Sequence, residues 1–240
     1  MKFLNRIIFI NSADKSIKYA EVNLDGNVHF IGTQGVGKST LLRAILFFYN
    51  ADKQKLGIPV HQGKKTFDEY YFPFQNSFIV YEVQTENGFF CVLAFKSQGR
   101  VAFRFFDSAF DKNFFIDKEG KAFESWDKTR EAFGKNIYYT KIIQGYEEYR
   151  NILYGNNKGL PSEFRKYAVI ESKQYQNIPR TITNVFLNAN LSAEFVKETI
   201  IKSFNEEEIK IDLTTYSQTH LKDFETNLND IKKWTDKNRS

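Results

Sequence analysis

The sequence predicts an α/β fold built around a phosphate-binding loop, on three observations. An apolar run, Val28 to Ile31, leads into the glycine-rich stretch Gly32-Thr33-Gln34-Gly35-Val36-Gly37-Lys38-Ser39. Leu41, Leu42, Ile45, Leu46 and Tyr49 then fall at helical spacing. Further on, three runs rich in Phe, Val and Tyr are separated by Asn-Gly and Gln-Gly, the residues that tight turns between antiparallel strands require.

Taken in order, Asn5 to Ile10 is apolar and predicts a first strand, with Val28 to Ile31 a second one directly before the loop. The antiparallel β meander comprises Phe78 to Gln84, Phe89 to Phe95 and Val101 to Phe106, joined at Glu86-Asn87-Gly88 and Ser97-Gln98-Gly99. Within it Glu82 is expected to face solvent as one step of an alternating strand. A fourth short strand, Phe114 to Ile116, ends in a turn at Asp117 to Gly120. A helix over Trp126 to Phe133, a strand over Tyr138 to Ile143 and a helix from near Glu147 follow; Tyr167 to Ile170 reads as a further buried strand, and Ile178 to Val185 and Leu191 to Ser203 as helices. Leu221, Phe224, Leu228 and Ile231 step by heptad spacing between polar residues, which suits either a coiled coil or an amphipathic helix packed on its own domain.

Composition narrows the function classes. With 240 residues, 42% hydrophobic and 17% aromatic, and only 4 Pro, the chain can bury a full core and is not a disordered segment. Cys91 is the single cysteine, which excludes a disulfide framework within the chain and a Cys-rich metal site and points to a reducing, cytoplasmic compartment. No stretch approaches the roughly 20 apolar residues of a membrane span, so no membrane partner is expected. His29, His61 and His220 are too scattered to suggest a metal site, and no Ser-His-Asp or Cys-His arrangement stands out. The net charge of +5 is a modest basic bias, compatible with a nucleic-acid partner.

Gly32 to Ser39 fits G-x-x-x-x-G-K-[ST] at every fixed position. Glycines let the backbone curl so that successive N–H groups point at phosphate oxygens, and the following helix adds its positive end. Gly32, Thr33, Gln34, Gly35, Val36, Gly37, Lys38, Ser39 and Thr40 are therefore the expected cofactor-binding residues, for ATP with Mg²⁺. Lys38 would reach the β and γ phosphates, and the Ser39 hydroxyl would ligate the metal. Hydrolysis also needs an acid-ended strand and a group that orients water, and the sequence supplies no convincing acid, so the chain holds half a catalytic site. Two alternatives remain open. A GTPase switch suits the same loop, but Asp117-Lys118-Glu119-Gly120 sits in a hairpin turn and Asn157-Lys158-Gly159-Leu160 lacks the Asp of a guanine reader. A nucleotide-dependent scaffold that does not hydrolyse is the other.

In layout the chain resembles the N-terminal half of the SMC-like ABC ATPase heads, including the SbcC, MukB and JetC groups: a strand, a phosphate loop with its helix, a meander, a late glutamine and an emerging coil. The phosphate loop is the one part specific in sequence, and Gln34 stands where many members carry Asn. The resemblance implies a P-loop NTPase of the ABC/SMC head-lobe type, with an ATPase head segment over 1–205 and, over 206–240, a helix at the base of a coiled coil. It implies that the acidic strand and signature motif lie in a C-terminal half-head reached after the coil, so that this segment alone is inactive and the full-length assembly is the ATPase. A family glutamine that touches magnesium or the lytic water falls on Gln174 or Gln176, with Gln174 the expected metal contact, or on Gln144, which follows Ile142-Ile143. Lys15-Ser16-Ile17-Lys18-Tyr19 resembles the arm that lays a cation, Lys15 or Lys18, against the phosphates and an aromatic near the base. Implied partners are DNA, the C-terminal half-head, a second copy through heads and coils, and accessory subunits.

One stretch bears on DNA directly. Between Tyr149 and Thr181, Arg150, Lys158, Arg165, Lys166 and Lys173 interleave with tyrosines and outnumber the acids, a pattern that could track a phosphate backbone. A solvated helix face or a subunit contact explains the same charges. Lys53, Lys55, Lys64 and Lys65 form a weaker cluster in what reads as a loop after the first helix.

Overall fold

The computed structural model describes residues 2–26, 28–33, 35, 37–51, 53–60, 63–156, 159–170, 194, 197 and 226–237. The chain divides into two compact units, Met1–Phe204 and Asn205–Ser240. In the first, β1 (Phe3–Ser12) and β2 (Ile17–Asn23) precede α1 (Lys38–Phe48), a small ribbon of β3 (Ile58–Val60) and β4 (Gly63–Lys65), and the short α2 (Phe67–Tyr71). The meander β5 (Phe78–Thr85), β6 (Gly88–Ser97) and β7 (Arg100–Phe106) follows, and then α3 (Trp126–Phe133) and α4 (Tyr146–Leu153).

A five-stranded, wholly antiparallel sheet in the order β2-β1-β5-β6-β7 organises this unit. The meander forms as its turn residues require, with Gln98 and Gly99 at φ 49° and 77° between β6 and β7. Both faces of the sheet are covered, which is why its strands are nearly continuously apolar. Ile7, Phe9, Ile79, Tyr81, Val92 and Phe103 share one core with Phe47 and Phe48 of α1 and Tyr149 and Leu153 of α4. Ile8, Ile10, Phe78, Val80, Leu93 and Phe106 share the other with Phe110, Phe115 and Phe133. Alternate residues of one strand thus serve different cores.

Several expected elements take another form. Val28 to Ile31 is no strand: it joins no ladder, and Val28, Phe30 and Ile31 are exposed, Ile31 at 91%. β2 was not expected as a strand, although its residues pair with β1 from Ile17 to Asn23. Lys112–Phe114 is a 3-10 turn, after which Ile116 makes a single bridge to Ala122. Tyr138 to Ile143 runs beside β7 through isolated bridges, Phe106 to Tyr139 and Phe103 to Ile143, rather than as a regular strand. Ser162–Tyr167 is a 3-10 helix, and the Val169 and Ile170 N–H groups both donate to Leu153 O, so Tyr167 to Ile170 is not a strand either.

Glu82 also departs from expectation. It is only 2% exposed, because the chain after β7 covers its face of the sheet. It lies directly across from Arg6 on β1, whose Nη2 donates to Glu82 Oε2 at 2.6 Å, while Asn5 Nδ2 and the Phe110 N–H donate at 2.8 and 2.7 Å. Burial pushes the carboxyl upward, but the bonds from Arg6, Phe110 and Asn5 outweigh it and hold Glu82 below the usual carboxylate range.

In the second unit residues 226–237 are helical and exposed, carrying Leu228, Ile231 and Trp234 outward; Leu221 and Phe224 lie outside the described residues. In the first unit Glu194 and Lys197 are helical, whereas Ile178 to Val185 lies outside the described residues. Among the described residues no helix is long and apolar enough to cross a membrane.

Candidate nucleotide-binding site

The glycine loop leads into α1. Gly35 and Gly37 take φ 88° and 92°, a left-handed backbone that an L side chain adopts only under strain, and open space surrounds both. Gly37 caps α1 with no side-chain bond, which leaves the helix's first N–H groups to whatever occupies the loop. Lys38 Nζ turns back across the loop and donates to Gly32 O at 2.5 Å and Thr33 O at 2.7 Å. The ammonium is therefore held at the mouth of the loop by two carbonyl oxygens, groups of the same acceptor chemistry as a phosphate oxygen.

α1 is anchored along its length by tyrosine hydroxyls. Tyr71 donates to Thr40 O at 2.5 Å, Tyr81 to Ala44 O at 2.9 Å, Tyr149 to Phe48 O at 2.6 Å and Tyr154 to Tyr49 O at 2.8 Å. Tyr146 reaches Ala51 O at 3.0 Å. The bonds to Phe48 O and Tyr49 O thereby satisfy carbonyls at the helix C-terminus that the helix itself does not pair. Burial of the rings raises the Tyr81 and Tyr149 hydroxyls far above their ordinary range, so they stay protonated donors. The fully buried face of α1 is Ala44, Leu46, Phe47 and Phe48; Leu41, Leu42, Ile45 and Tyr49 are only partly buried.

A cleft of about 570 Å³ opens at the loop. Gly35, Gly37, Lys38 and Thr40 form one wall, Ile17, Ala20 and Val22 of β2 another, and His29, Phe30 and Ile31 line it as well. Polar loop and apolar wall together suit a ligand with phosphates at one end and a planar base at the other. The β2 wall was missed in the sequence; the alternation from Ile17 to Val22 was the available sign of it.

The other expected site residues are dispersed. Gly32 and Thr33 are exposed on the loop and Ser39 is exposed in the first turn of α1, and Gln34 and Val36 lie outside the described residues. Lys15 and Lys18 are not brought to Lys38: they line a separate cleft, while Tyr19 lies under the Lys112 ammonium at 4.4 Å. Gln144 is exposed between Ile143 and the Gly145 cap of α4; Gln174, Gln176, Lys158 and Lys173 lie outside the described residues. Arg150 stacks its guanidinium 5.8 Å from the Tyr154 ring, and Arg165 is exposed. Lys166 pairs with Asp107 and sits 4.5 Å over the Tyr138 ring. Lys53 pairs with Asp68 at 2.6 Å and Lys65 with Asp14, so these two are tied down rather than loose in a loop. Among the described residues no cluster of His, Cys, Asp and Glu could hold a metal ion.

An α/β unit with a glycine loop and lysine at the head of a sheet-packed helix is the class of protein this geometry defines. The chain belongs to the family described as protein of unknown function DUF3584, whose model matches residues 8–237, a family of SMC/MukB-like proteins. No curated protein is significantly similar to it.

Proposed function

We propose that the chain is the N-terminal ATP-binding head segment of an SMC-like ATPase of the P-loop NTPase fold, acting on DNA in chromosome organisation, repair, or defence against plasmid or phage DNA. The observation that carries this reading is the Lys38 ammonium poised over a left-handed glycine loop at the open start of α1. In it the loop amides and Lys38 hold the polyphosphate, Ser39 in the first turn supplies a hydroxyl to Mg²⁺, and Ile17, Ala20 and Val22 offer an apolar surface to the base. Magnesium would neutralise phosphate charge there; the metal fits the loop because an exposed hydroxyl lies next to the lysine in sequence.

The glutamine facing that metal is assigned to Gln174 or Gln176, with Gln144 as the alternative. Exposed Val28, Phe30 and Ile31 support a partner that covers them, and a C-terminal half-head carrying the catalytic acid is the partner proposed. Two heads closing on ATP, through a homodimer joined by heads and coils and with accessory subunits, would convert γ-phosphate binding into movement of bound DNA in the cytoplasm.

Calorimetry with Mg-ATP tests the nucleotide step: heat of association at or below millimolar nucleotide is expected. Absence of heat on well-folded protein, or much tighter binding of GTP, would overturn the reading.

A further inference from the structure

A second cleft, of about 440 Å³, shares no lining residue with the Lys38 cleft. Lys15, Lys18 and Lys121 line it around Phe74, with Asn76 and a single acid, Glu119. Phe74 is 39% exposed, and Lys15 Nζ lies 5.6 Å from its ring centroid.

These groups are set by local structure rather than by one mobile loop. The Phe74 N–H donates to Ser77 Oγ at 3.0 Å, and that hydroxyl donates to Asn11 O at 2.5 Å. Lys15 sits at φ 73° in the turn after β1, whose Asp14 N–H donates to Tyr70 O at 2.7 Å. Asp14 itself is paired with Lys65, which removes its charge from competition. On the opposite wall, Asp117 Oδ1 accepts from the Glu119 and Lys121 N–H groups at 3.0 and 2.8 Å, fixing the turn that carries Lys121. Three ammonium groups against one carboxylate leave an excess of positive charge beside an exposed aromatic face.

Lysines alone would suit any anion; the ring adds a requirement for a planar group, since a base offers a π-face to an aromatic whatever its identity. We propose that this cleft binds a nucleotidyl unit, with its base on Phe74 and its phosphate among Lys15, Lys18 and Lys121. The unit belongs either to a single-stranded nucleic acid or to a free nucleotide. This site is independent of the phosphate loop.

Fluorescence anisotropy with a labelled oligothymidylate of about 16 nucleotides, and competition by thymidine monophosphate, tests it on the full chain. Lys18→Glu with Lys121→Glu is expected to weaken binding at least about tenfold and to reduce the salt slope by about 0.7 per lysine. Phe74→Ala is expected to weaken it about 5- to 150-fold with the slope unchanged. Should Phe74→Ala lose structure by circular dichroism, Phe74→Leu keeps the bulk, removes the ring and takes its place. Lys38→Ala should leave all of this unaltered, which separates failure of the ATP reading from failure of this one. Effective competition by the monophosphate identifies a free nucleotide as the source; binding of the oligonucleotide alone identifies a strand. No binding of either probe, affinity indifferent to the Lys18, Lys121 and Phe74 variants, or loss of binding in Lys38→Ala, overturns the proposal.

Discussion

Arg6 and Glu82 face each other across β1 and β5, one partly exposed and the other almost wholly buried. Removing Arg6 leaves the almost wholly buried Glu82 charge without its cation, so Arg6→Met is expected to cost about 3–5 kcal/mol, measured by urea denaturation, whereas Glu82→Gln leaves a partly exposed Arg6 still paired with Glu21 at 2.9 Å and should cost less. The pH dependence has a defined sign. Glu82 is held below the ordinary glutamate value of about 4.3, so its stabilisation is complete above that value and fades as pH falls through the lower native one. Acid unfolding of Glu82→Gln should accordingly show a shallower loss of stability below about pH 4. At Lys38 the expectation concerns binding instead. The side chain is half-buried against loop carbonyls rather than packed in a core, so Lys38→Ala should weaken Mg-ATP by about 100-fold with unchanged circular dichroism. Unchanged affinity would remove Lys38 from the site.

Among the elements, α1 is tied to its neighbours by buried tyrosines. The Tyr149 hydroxyl is buried against Phe48 O, and Tyr149→Phe should cost about 1–3 kcal/mol by orphaning that carbonyl; a denaturation midpoint equal to the parent's would refute the anchoring role. The position of α1 after the glycine loop was legible from spacing, and so was the meander, because Gln98-Gly99 and Asn87-Gly88 carry their own turn chemistry. What could not be read was the far side of the sheet. A strand covered on both faces shows no clean alternation, so Glu82 in the run Phe78 to Val83 looked like a solvent position when the chain through Phe110 in fact buries it. Val28 to Ile31 is apolar enough for a strand, but a strand also needs a neighbour's backbone, and composition does not say whether one is present. Of the strand expected over Tyr167 to Ile170, Tyr167 instead closes a 3-10 helix begun at Ser162, from which Phe164 and Tyr167 both reach the core, and Val169 and Ile170 bond back to Leu153 O.

Taken as a whole, the unit keeps its basic residues in unequal states, and this divides the expected DNA face. Arg165 is exposed, so Arg165→Glu should lower both the affinity for duplex DNA and its salt slope, the slope by about 0.9. Lys166, by contrast, is engaged by Asp107 and two tyrosine rings. Lys166→Glu should therefore cost about 1 kcal/mol of stability in addition to any effect on DNA, which thermal unfolding measures. A DNA affinity indifferent to Arg165→Glu would return that residue to the solvated reading. The candidate nucleotide site was legible only in part: its loop is a motif of contiguous residues, whereas its β2 wall and the separation of Lys15 and Lys18 from Lys38 arise from pairing of β2 with β1.

That same pairing places β1 between β2 and β5, and its partner residues Arg6 and Glu82 are 76 positions apart in the chain. A ribosome therefore releases the glycine loop and α1 well before the strand that completes their support has been translated. Until then the β1–β2 hairpin, the β3–β4 ribbon and the helices that precede β5 are all that can form locally, and the apolar side chains of β1 and α1 lack the sheet that buries them. Full support of the loop and α1 is accordingly a late acquisition of the nascent polypeptide, and a synonymous pause ahead of the codons for β5 would prolong the interval without it.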